Sequence, residues 1–223
     1  MDISFDEWRL RMVNNQLRTT DVTDNRILSA FLDVAREAFV PEEKRVIAYT
    51  DEDIEVSGAG TNRRYIIEAS PFAKLLQIAM IGPDDVVLDV GCATGYSSAV
   101  ISRLASSVIA LECDEQLADK ATETLSRLGY ENVAVTRGPL EEGYAPEAPY
   151  DVIVIEGAVD FVPPTLLDQV KNGGRLVAVE GRGNAGFAKL YVKDQEGKVA
   201  GRRVFNAAVP ALPGFRVAPA FQF

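Results

Sequence analysis

A glycine-bearing turn follows a short apolar segment of the chain. Val86 to Val90 is typical of a strand buried on both faces, and the turn from Gly91 to Gly95 comes directly after it. Glycine allows the backbone to turn sharply and allows a ligand to approach it closely. Because ligands bind outside the carboxyl ends of parallel strands, we expect a small-molecule site at this turn.

Acidic side chains accompany the turn. Glu112 ends the next apolar run, 21 residues after Gly91, where a carboxylate can accept hydrogen bonds from both ribose hydroxyls. Asp89 precedes the turn and would repel a pyrophosphate but attract an amino group. The turn matches neither a Gly-x-Gly-x-x-Gly dinucleotide fingerprint nor a P-loop. The pattern favours an adenosine that carries a methionine tail; the alternative is a glycine turn in an unliganded α/β domain.

The composition limits the chemistry. Lys and Arg number 23 and Asp and Glu number 33, so the formal charge is −10, and we expect no nucleic-acid partner. The absence of histidine excludes Ser–His and Cys–His nucleophile pairs and removes the usual zinc ligand, so no metal site is predicted. Any reaction would depend on carboxylates, backbone dipoles or a reactive cofactor.

No segment of the sequence indicates a membrane span or export. The acidic segment from Met1 to Glu7 does not resemble a secretory signal. No apolar run reaches the ~18 residues that a membrane span requires. The interpretation is a cytoplasmic protein without a membrane partner.

Strand and helix patterns alternate from residue 86 onwards. This alternation predicts an α/β fold with a doubly wound, mostly parallel sheet and helices on both faces. Two further runs joined through Glu196-Gly197 predict an antiparallel C-terminal hairpin. The predicted strands are 86–90, 108–111, 133–136, 152–155, 175–179, 187–192 and 203–207; the predicted helices are about 115–128, closed by Gly129, and one that Pro163-Pro164 opens and that ends before Gly173.

The first 82 residues predict a helical cap. Ser4 and Glu7 have capping-box spacing, and Leu10, Val13 and Leu17 fall on one helical stripe. A second helix is predicted over 24–39, loops or short strands over 51–67, and a third helix capped by Ser70 before Pro71. We expect one domain over 1–223, with the cap and substrate loop in 1–82 and the cofactor-binding core and C-terminal strands in 83–223.

The sequence resembles the protein-L-isoaspartate O-methyltransferase family from about Arg9 to Phe223. One example is Arg36 to Pro41, which is similar to the family's R-E-x-F-V-P segment. The other similar segments are Met12 to Leu17, Ala48-Tyr49, Leu88 to Tyr96, Leu128 to Val133, Tyr150 to Val154 and Lys171 to Val177.

The resemblance implies a Rossmann-like methyltransferase fold, S-adenosyl-L-methionine as cofactor and an isoaspartyl carboxylate in a damaged protein or peptide as substrate. Asp89 and the glycine turn would border the methionine portion, Glu112 would hold the ribose, and 138–140 would lie beside the adenine. Pro139 replaces the aspartate that is usual there. The implied cofactor-binding residues are Asp89, Gly91, Cys92, Ala93, Gly95, Glu112, Cys113, Gly138, Pro139, Leu140 and Glu156.

The chain departs from the family in the loop 58–66, where a Thr-Ile-Ser motif is replaced by Asn62-Arg63-Arg64. Thr61, Asn62 and Arg64 are the candidate substrate-loop residues. Arg63 and Arg64 would either hold an acceptor carboxylate or form surface ion pairs. The change motivates two alternative hypotheses, namely a methyltransferase for another acceptor, such as a small acid, and a non-catalytic cofactor-binding protein.

Other features allow two interpretations each. Cys92 and Cys113 would form a disulfide or be small buried fillers. Glu156 would touch a ligand or be a loop carboxylate in water. The segment from Phe215 to Phe223 is interpreted as a sheet-edge strand. The oligomeric state is left open.

Overall fold

A central sheet of seven strands forms the body of the computed structural model, which describes residues 4–57 and 62–216. The strands are β3 (Val86–Val90), β4 (Ser107–Glu112), β5 (Val133–Arg137), β6 (Tyr150–Val159), β7 (Val170–Glu180), β8 (Phe187–Lys193) and β9 (Val199–Asn206). Their order in the sheet is β5-β4-β3-β6-β7-β8-β9, with β3 to β7 parallel and β8 and β9 antiparallel. This confirms the predicted fold class, including the C-terminal hairpin.

A small antiparallel pair, β1 (Ile54–Glu55) with β2 (Tyr65–Ile66), lies outside the main sheet. It confirms the short strands predicted for 51–67. The helices are α1 (Phe5–Met12), α2 (Asn25–Asp33), α3 (Ala69–Ala79), α4 (Tyr96–Ser102), α5 (Glu115–Arg127) and α6 (Pro164–Asp168).

Helices cover both faces of the sheet. Side chains of α2, α3, α4 and α5 share one continuous apolar cluster with one face, and α6 packs in a second cluster on the other face. The chain moves outward from β3 to β4 and β5 on one side, and to β6 and β7 on the other. The crevice between β3 and β6 is therefore the switch point at which ligands bind in open α/β sheets.

An aromatic cluster fixes the N-terminal segments over α4. The ring of Tyr96 lies 6.3 Å from Phe31, 5.8 Å from Phe39 and 6.4 Å from Phe72, measured between centroids. The guanidinium of Arg36 lies 4.7 Å from the centre of the same ring. Because Tyr96 is the first residue of α4, these contacts hold the helix that the glycine turn opens.

The helix predicted over 24–39 is wrong in its length. The helix α2 ends at Asp33, and Val34 is extended. Arg36 is buried, and its guanidinium donates to the carbonyl oxygens of Ala48 at 2.8 Å and Ile67 at 2.9 Å. The need to satisfy this buried cation turns the chain inward and overrides the helical pattern.

The first helix has the predicted N-terminal cap, but the three apolar residues predicted to share one buried face do not. Ser4 accepts a hydrogen bond from the backbone N–H of Glu7 at 3.3 Å. Val13 and Leu17 are buried, whereas Leu10 is 48% exposed. The turn from Val13 to Leu17 is a π-helix, which rotates the residues before it relative to those after it.

Two element boundaries also differ from the prediction. Glu68, and not Ser70, precedes the first residue of α3. The strand β7 begins at Val170 and contains Gly173, because a register shift between Tyr150 and Val152 of β6 lets the pairing begin early.

Candidate active site

The predicted glycine turn lies at the carboxyl end of β3. The φ angles of Gly91, Ala93 and Gly95 are all positive, at 89°, 50° and 92°. The backbone N–H groups of Gly91 and Cys92 donate to the carbonyl of Leu111 at 2.8 and 3.2 Å. These bonds draw the turn across the end of β4 and place it beside Glu112.

The carboxylate of Glu112 is completely buried and accepts hydrogen bonds from four N–H groups. Its Oε2 accepts from the backbone of Ala93 at 2.8 Å. Its Oε1 accepts from the backbones of Cys113 at 2.8 Å and Asp114 at 3.0 Å, and from Arg64 Nη1 at 2.6 Å. Glu112 thus lies beside the turn and bonds to groups of the chain itself, and its contact with a ribose stays a prediction.

Arg64 lies inside the site and not at the surface. Its side chain is 2% exposed and forms an ion pair with Glu112. Its Nη2 donates to the carbonyl of Gly91 at 2.8 Å. The interpretation of Arg64 as part of a surface ion pair is wrong, since the side chain is buried, and its contact with an acceptor carboxylate stays a prediction.

Arg64 and Leu212 fill the space around the turn. A Cβ on Gly91 would meet Arg64 Nη2 and Leu212 Cδ2, each at 3.0 Å. A Cβ on Gly157 would meet Leu212 Cγ at 2.7 Å. The cavity that remains beside Gly91 and Glu156 measures about 10 Å³. This volume holds at most one water molecule.

Asp89 is a buried carboxylate with one satisfied oxygen. Its Oδ2 accepts from the hydroxyls of Ser97 at 2.7 Å and Ser98 at 2.5 Å. Its Oδ1 has no hydrogen-bond partner within the described part of the chain. Burial raises the pKa of Asp89 to about 6, although the two serine hydroxyls oppose the shift.

Glu156 is also buried, which corrects the interpretation of a loop carboxylate in water. It lies inside β6, because that strand continues to Val159, beyond the predicted end. Its Oε1 has no hydrogen-bond partner in 4–57 and 62–216. Burial, reinforced by the charge of Asp89, raises its pKa well above the ordinary value. Asp89, Glu112 and Glu156 therefore form an acidic, desolvated group at the switch point.

A groove of about 830 Å³ adjoins this acidic group. Asp53, Asn62, Arg63 and Tyr65 line one part of it, and residues 210–214 with Arg216 line the rest. Tyr65 also lines the small cavity beside Gly91, so the groove and the turn are separated by about one side-chain layer. Arg63 is 62% exposed and lies 3.6 Å from Glu55, which is the surface ion pair that the sequence left open.

A family model described as protein-L-isoaspartate(D-aspartate) O-methyltransferase (PCMT) matches residues 9–212. The chain belongs to this family. A protein-L-isoaspartate O-methyltransferase 2 from Shewanella sediminis is 40% identical over 170 residues, which cover 76% of this chain and 68% of that protein. A protein-L-isoaspartate O-methyltransferase from Koribacter versatilis is 38% identical over 193 residues, which cover 86% and 84%.

Solved structures support the same assignment of the fold. A protein-L-isoaspartate O-methyltransferase superposes with a TM-score of 0.79 at 26% identity, covering 93% of this chain and 67% of that one. A Plasmodium falciparum beta-aspartate methyltransferase in complex with S-adenosyl-L-homocysteine superposes with a TM-score of 0.75, covering 91% and 97%. Its identity of 18% limits this second likeness to the fold.

The remaining candidate residues lie close to Glu112 in the chain fold or outside the described residues. Gly138 donates from its backbone to the carbonyl of Glu112 at 3.1 Å, Pro139 precedes a short 3₁₀ turn, and Leu140 is buried in the second apolar cluster. Their contact with an adenine stays a prediction. Thr61 lies outside the described residues, as do Gly58 to Gly60 and the end of the tail from residue 217.

The two cysteines are free thiols and not a disulfide. Cys92 is a buried filler, as one interpretation proposed, whereas Cys113 is exposed at its surface position. Burial and the neighbouring carboxylates raise the pKa of the Cys92 thiol, and partial burial raises that of Cys113 to about 11. Both therefore remain protonated at neutral pH.

Sequence reasoning missed the hydroxyls that hold the site. Ser97 and Ser98 bind Asp89, and Thr94 donates to the carbonyl of Phe39 at 2.6 Å, which ties the turn to the cap. The available signal was the position of two serines in the first turn of a helix that opens just after an acidic strand end.

Among the described residues, no helix combines the length and the apolar character that crossing a bilayer requires. This finding concerns helices alone.

Asp89→Asn is expected to change how stability depends on pH. Because the folded pKa of Asp89 is raised to about 6, the folded state holds a proton between about pH 4 and 6 that the unfolded state has released. Its contribution to stability is therefore complete below pH 4 and is lost as the pH rises through 6. Asparagine does not titrate and therefore removes this loss. Above pH 6 the melting temperature of the variant is expected to rise relative to that of wild type, by about 2–4 °C for each kcal/mol of difference in stability.

Thermal melts from pH 4 to 8 measure the difference between variant and wild type. Asp119→Asn, at an exposed position of α5, is the control and is expected to show a constant difference. A constant difference for Asp89→Asn as well would contradict the prediction.

Proposed function

We propose that this chain transfers the methyl group of S-adenosylmethionine to a carboxylate, namely that of an isoaspartyl residue in a protein or peptide. The observation that carries the proposal is the glycine turn at the end of β3 with Glu112 beside it, in a chain that matches the family model over residues 9–212. The turn and the carboxylate are the groups that an adenosine cofactor needs at a switch point.

The residues present fit the cofactor in their chemistry. Glu112 can accept from ribose hydroxyls, Gly91 leaves its backbone open to close approach, and the buried oxygens of Asp89 and Glu156 that lack partners among the described residues suit a cationic group. The space is taken by Arg64 and Leu212, whose side chains must move before a cofactor enters.

The cofactor supplies an electrophilic methyl group on a sulfonium. The acceptor carboxylate is already ionised at neutral pH, so the chain needs no general base, in agreement with a sequence that lacks histidine. What the chain contributes is binding and orientation at the turn, by Glu112 and the backbone of 91–95. The burial of Asp89 and Glu156 indicates a site from which water is excluded.

The groove beside the turn is the proposed acceptor site. Asn62, Arg63 and Arg216 line it, and a guanidinium can hold a carboxylate through paired hydrogen bonds. A peptide segment fits a groove of about 830 Å³ better than a small acid does. We therefore place a damaged protein ahead of a small acid as the partner, within the cytoplasm.

A paired methyl-transfer assay tests the proposal. Purified protein receives radiolabelled S-adenosylmethionine together with an isoaspartyl peptide or its aspartyl twin, and base-labile methyl esters are counted. We expect label on the isoaspartyl peptide alone. Cofactor binding without label on either peptide would favour another acceptor or a non-catalytic role, and equal label on both peptides would contradict isoaspartyl specificity.

A further inference from the structure

We propose that Arg64 competes with the cofactor for Glu112. Its guanidinium pairs with the carboxylate that we assign to the ribose, and an adenosine ligand binds only when the guanidinium leaves. The inference rests on the proposed function, because it concerns the same site. It assigns a role to the residue at which this chain departs from the Thr-Ile-Ser motif.

The hydrogen-bond capacity of Glu112 supports direct competition. A carboxylate offers about four lone-pair positions, two on each oxygen. Oε1 accepts from Arg64, from the backbones of Cys113 and Asp114 and, at 3.4 Å, from Cys113 Sγ, whereas Ala93 donates to Oε2. Oε1 is therefore fully occupied, and Arg64 is its long, charged side-chain donor, so a ribose hydroxyl can bind to this oxygen only in place of the guanidinium.

Steric contact points the same way. The guanidinium bonds to the carbonyl of Gly91 at 2.8 Å and lies where a single added methyl group on Gly91 would touch it at 3.0 Å. The face of the turn that glycine leaves open is therefore covered by Arg64, with Leu212 beside it. A ligand and this guanidinium cannot share the position.

Charge explains why the guanidinium stays in the site. Asp89, Glu112 and Glu156 are buried together, and the charge of Arg64 opposes the rise of the pKa of both Asp89 and Glu156. Arg36 also opposes the rise at Glu156, but its side chain bonds to backbone carbonyls. Arg64 thus serves as the counterion of these buried carboxyl groups.

The backbone of Arg64 is anchored, so the movement belongs to its side chain. Its N–H donates to Ser57 Oγ at 2.7 Å, and its carbonyl accepts from the N–H of Val56 at 2.8 Å. Its neighbours Arg63 and Tyr65 line the groove. The movement that frees Glu112 is therefore a rotation of the Arg64 side chain about this fixed backbone.

Calorimetric titration of the purified chain tests the competition. Wild type, Arg64→Ala and Arg11→Ala are titrated with S-adenosylmethionine, with S-adenosylhomocysteine and with adenosine, which has the ribose but no methionine tail. We expect Arg64→Ala to bind all three at least tenfold more tightly than wild type, because binding no longer requires a minor conformation in which the guanidinium has left Glu112. Arg11→Ala removes the same charge from an exposed pair with Glu7 on α1 and is expected to match wild type.

A second variant guards against loss of the fold. Arg64→Met keeps much of the buried bulk but removes the ion pair, and we expect it to bind more tightly than wild type by a smaller factor, with thermal melts checking each protein. Equal or weaker binding by both Arg64 variants would overturn the inference. If wild type and variants all bind equally well, the inference fails and the proposed function stands. If the Arg64 variants bind more tightly but no protein transfers a methyl group, the proposed acceptor fails and the inference stands. If no protein binds the cofactor, both the inference and the proposed function fail.

Discussion

Glu112→Gln is expected to lower the free energy of unfolding by about 3–5 kcal/mol, because it leaves the buried guanidinium of Arg64 without a counterion. Glutamine keeps the length of the side chain but has one acceptor oxygen in place of two. Its amide group would also face at least one of the backbone N–H donors of Ala93, Cys113 and Asp114. Urea unfolding followed by circular dichroism measures the loss.

A double-mutant cycle separates the ion pair from the backbone contacts of Glu112. We expect Arg64→Met alone to cost less than Glu112→Gln, since Glu112 then retains three backbone donors. The double variant is expected to be more stable than Glu112→Gln alone, because the unpaired cation is gone. Strictly additive effects would contradict the pairing, and Arg63→Met serves as a control without a buried partner.

Gly95→Ala is expected to destabilise the protein by about 2–5 kcal/mol through two separate causes. The φ angle of Gly95 is +92°, a conformation that strains any residue with a Cβ. The added Cβ would also meet Leu125 Cδ1 at 2.9 Å and Ala121 Cβ at 3.3 Å, so α5 must shift away from the turn. Because α5 begins just after Glu112, the shift disturbs the site as well as the core.

Gly129→Ala isolates the backbone part of this effect. Gly129 also has a positive φ, of 77°, but a Cβ there would meet nothing within 4 Å. We expect it to cost about 1–2 kcal/mol, the strain alone. Chemical unfolding of both variants gives the difference, and equal losses would show that the close approach of α5 to the turn is unimportant.

The parts of the fold that follow from local pattern were predictable from the sequence. The short apolar run of β3, the glycine turn and Glu112 at the end of β4 lie in order along the chain, and the structure brings them together as predicted. Parallel strands with crossover helices leave few alternatives for where such strand ends meet. Gly129 and Gly197 likewise mark the predicted ends of α5 and of the turn between β8 and β9.

The parts that depend on distant partners were not predictable. The partner of Arg64 is Glu112, 48 positions away, and nothing in the loop pattern marks a cation that will be buried. The helix over 24–39 ends early because Arg36 must reach two carbonyl oxygens in other segments. Glu156 reads as a loop residue until β6 is seen to continue past it. In each case the partner or the burial of a polar group is decided by tertiary contacts, which the local sequence does not reveal.

The position of the cap has a consequence for synthesis on the ribosome. The helix α3 packs against β6, β7 and β8, so the residues it must meet are made long after it leaves the exit tunnel. At ~5–20 residues per second, the wait lasts roughly 6–25 seconds. During that interval the part of the apolar face of α3 that packs on these strands stays in water. A cellular binder of nascent apolar segments therefore meets this protein first at its N-terminal third.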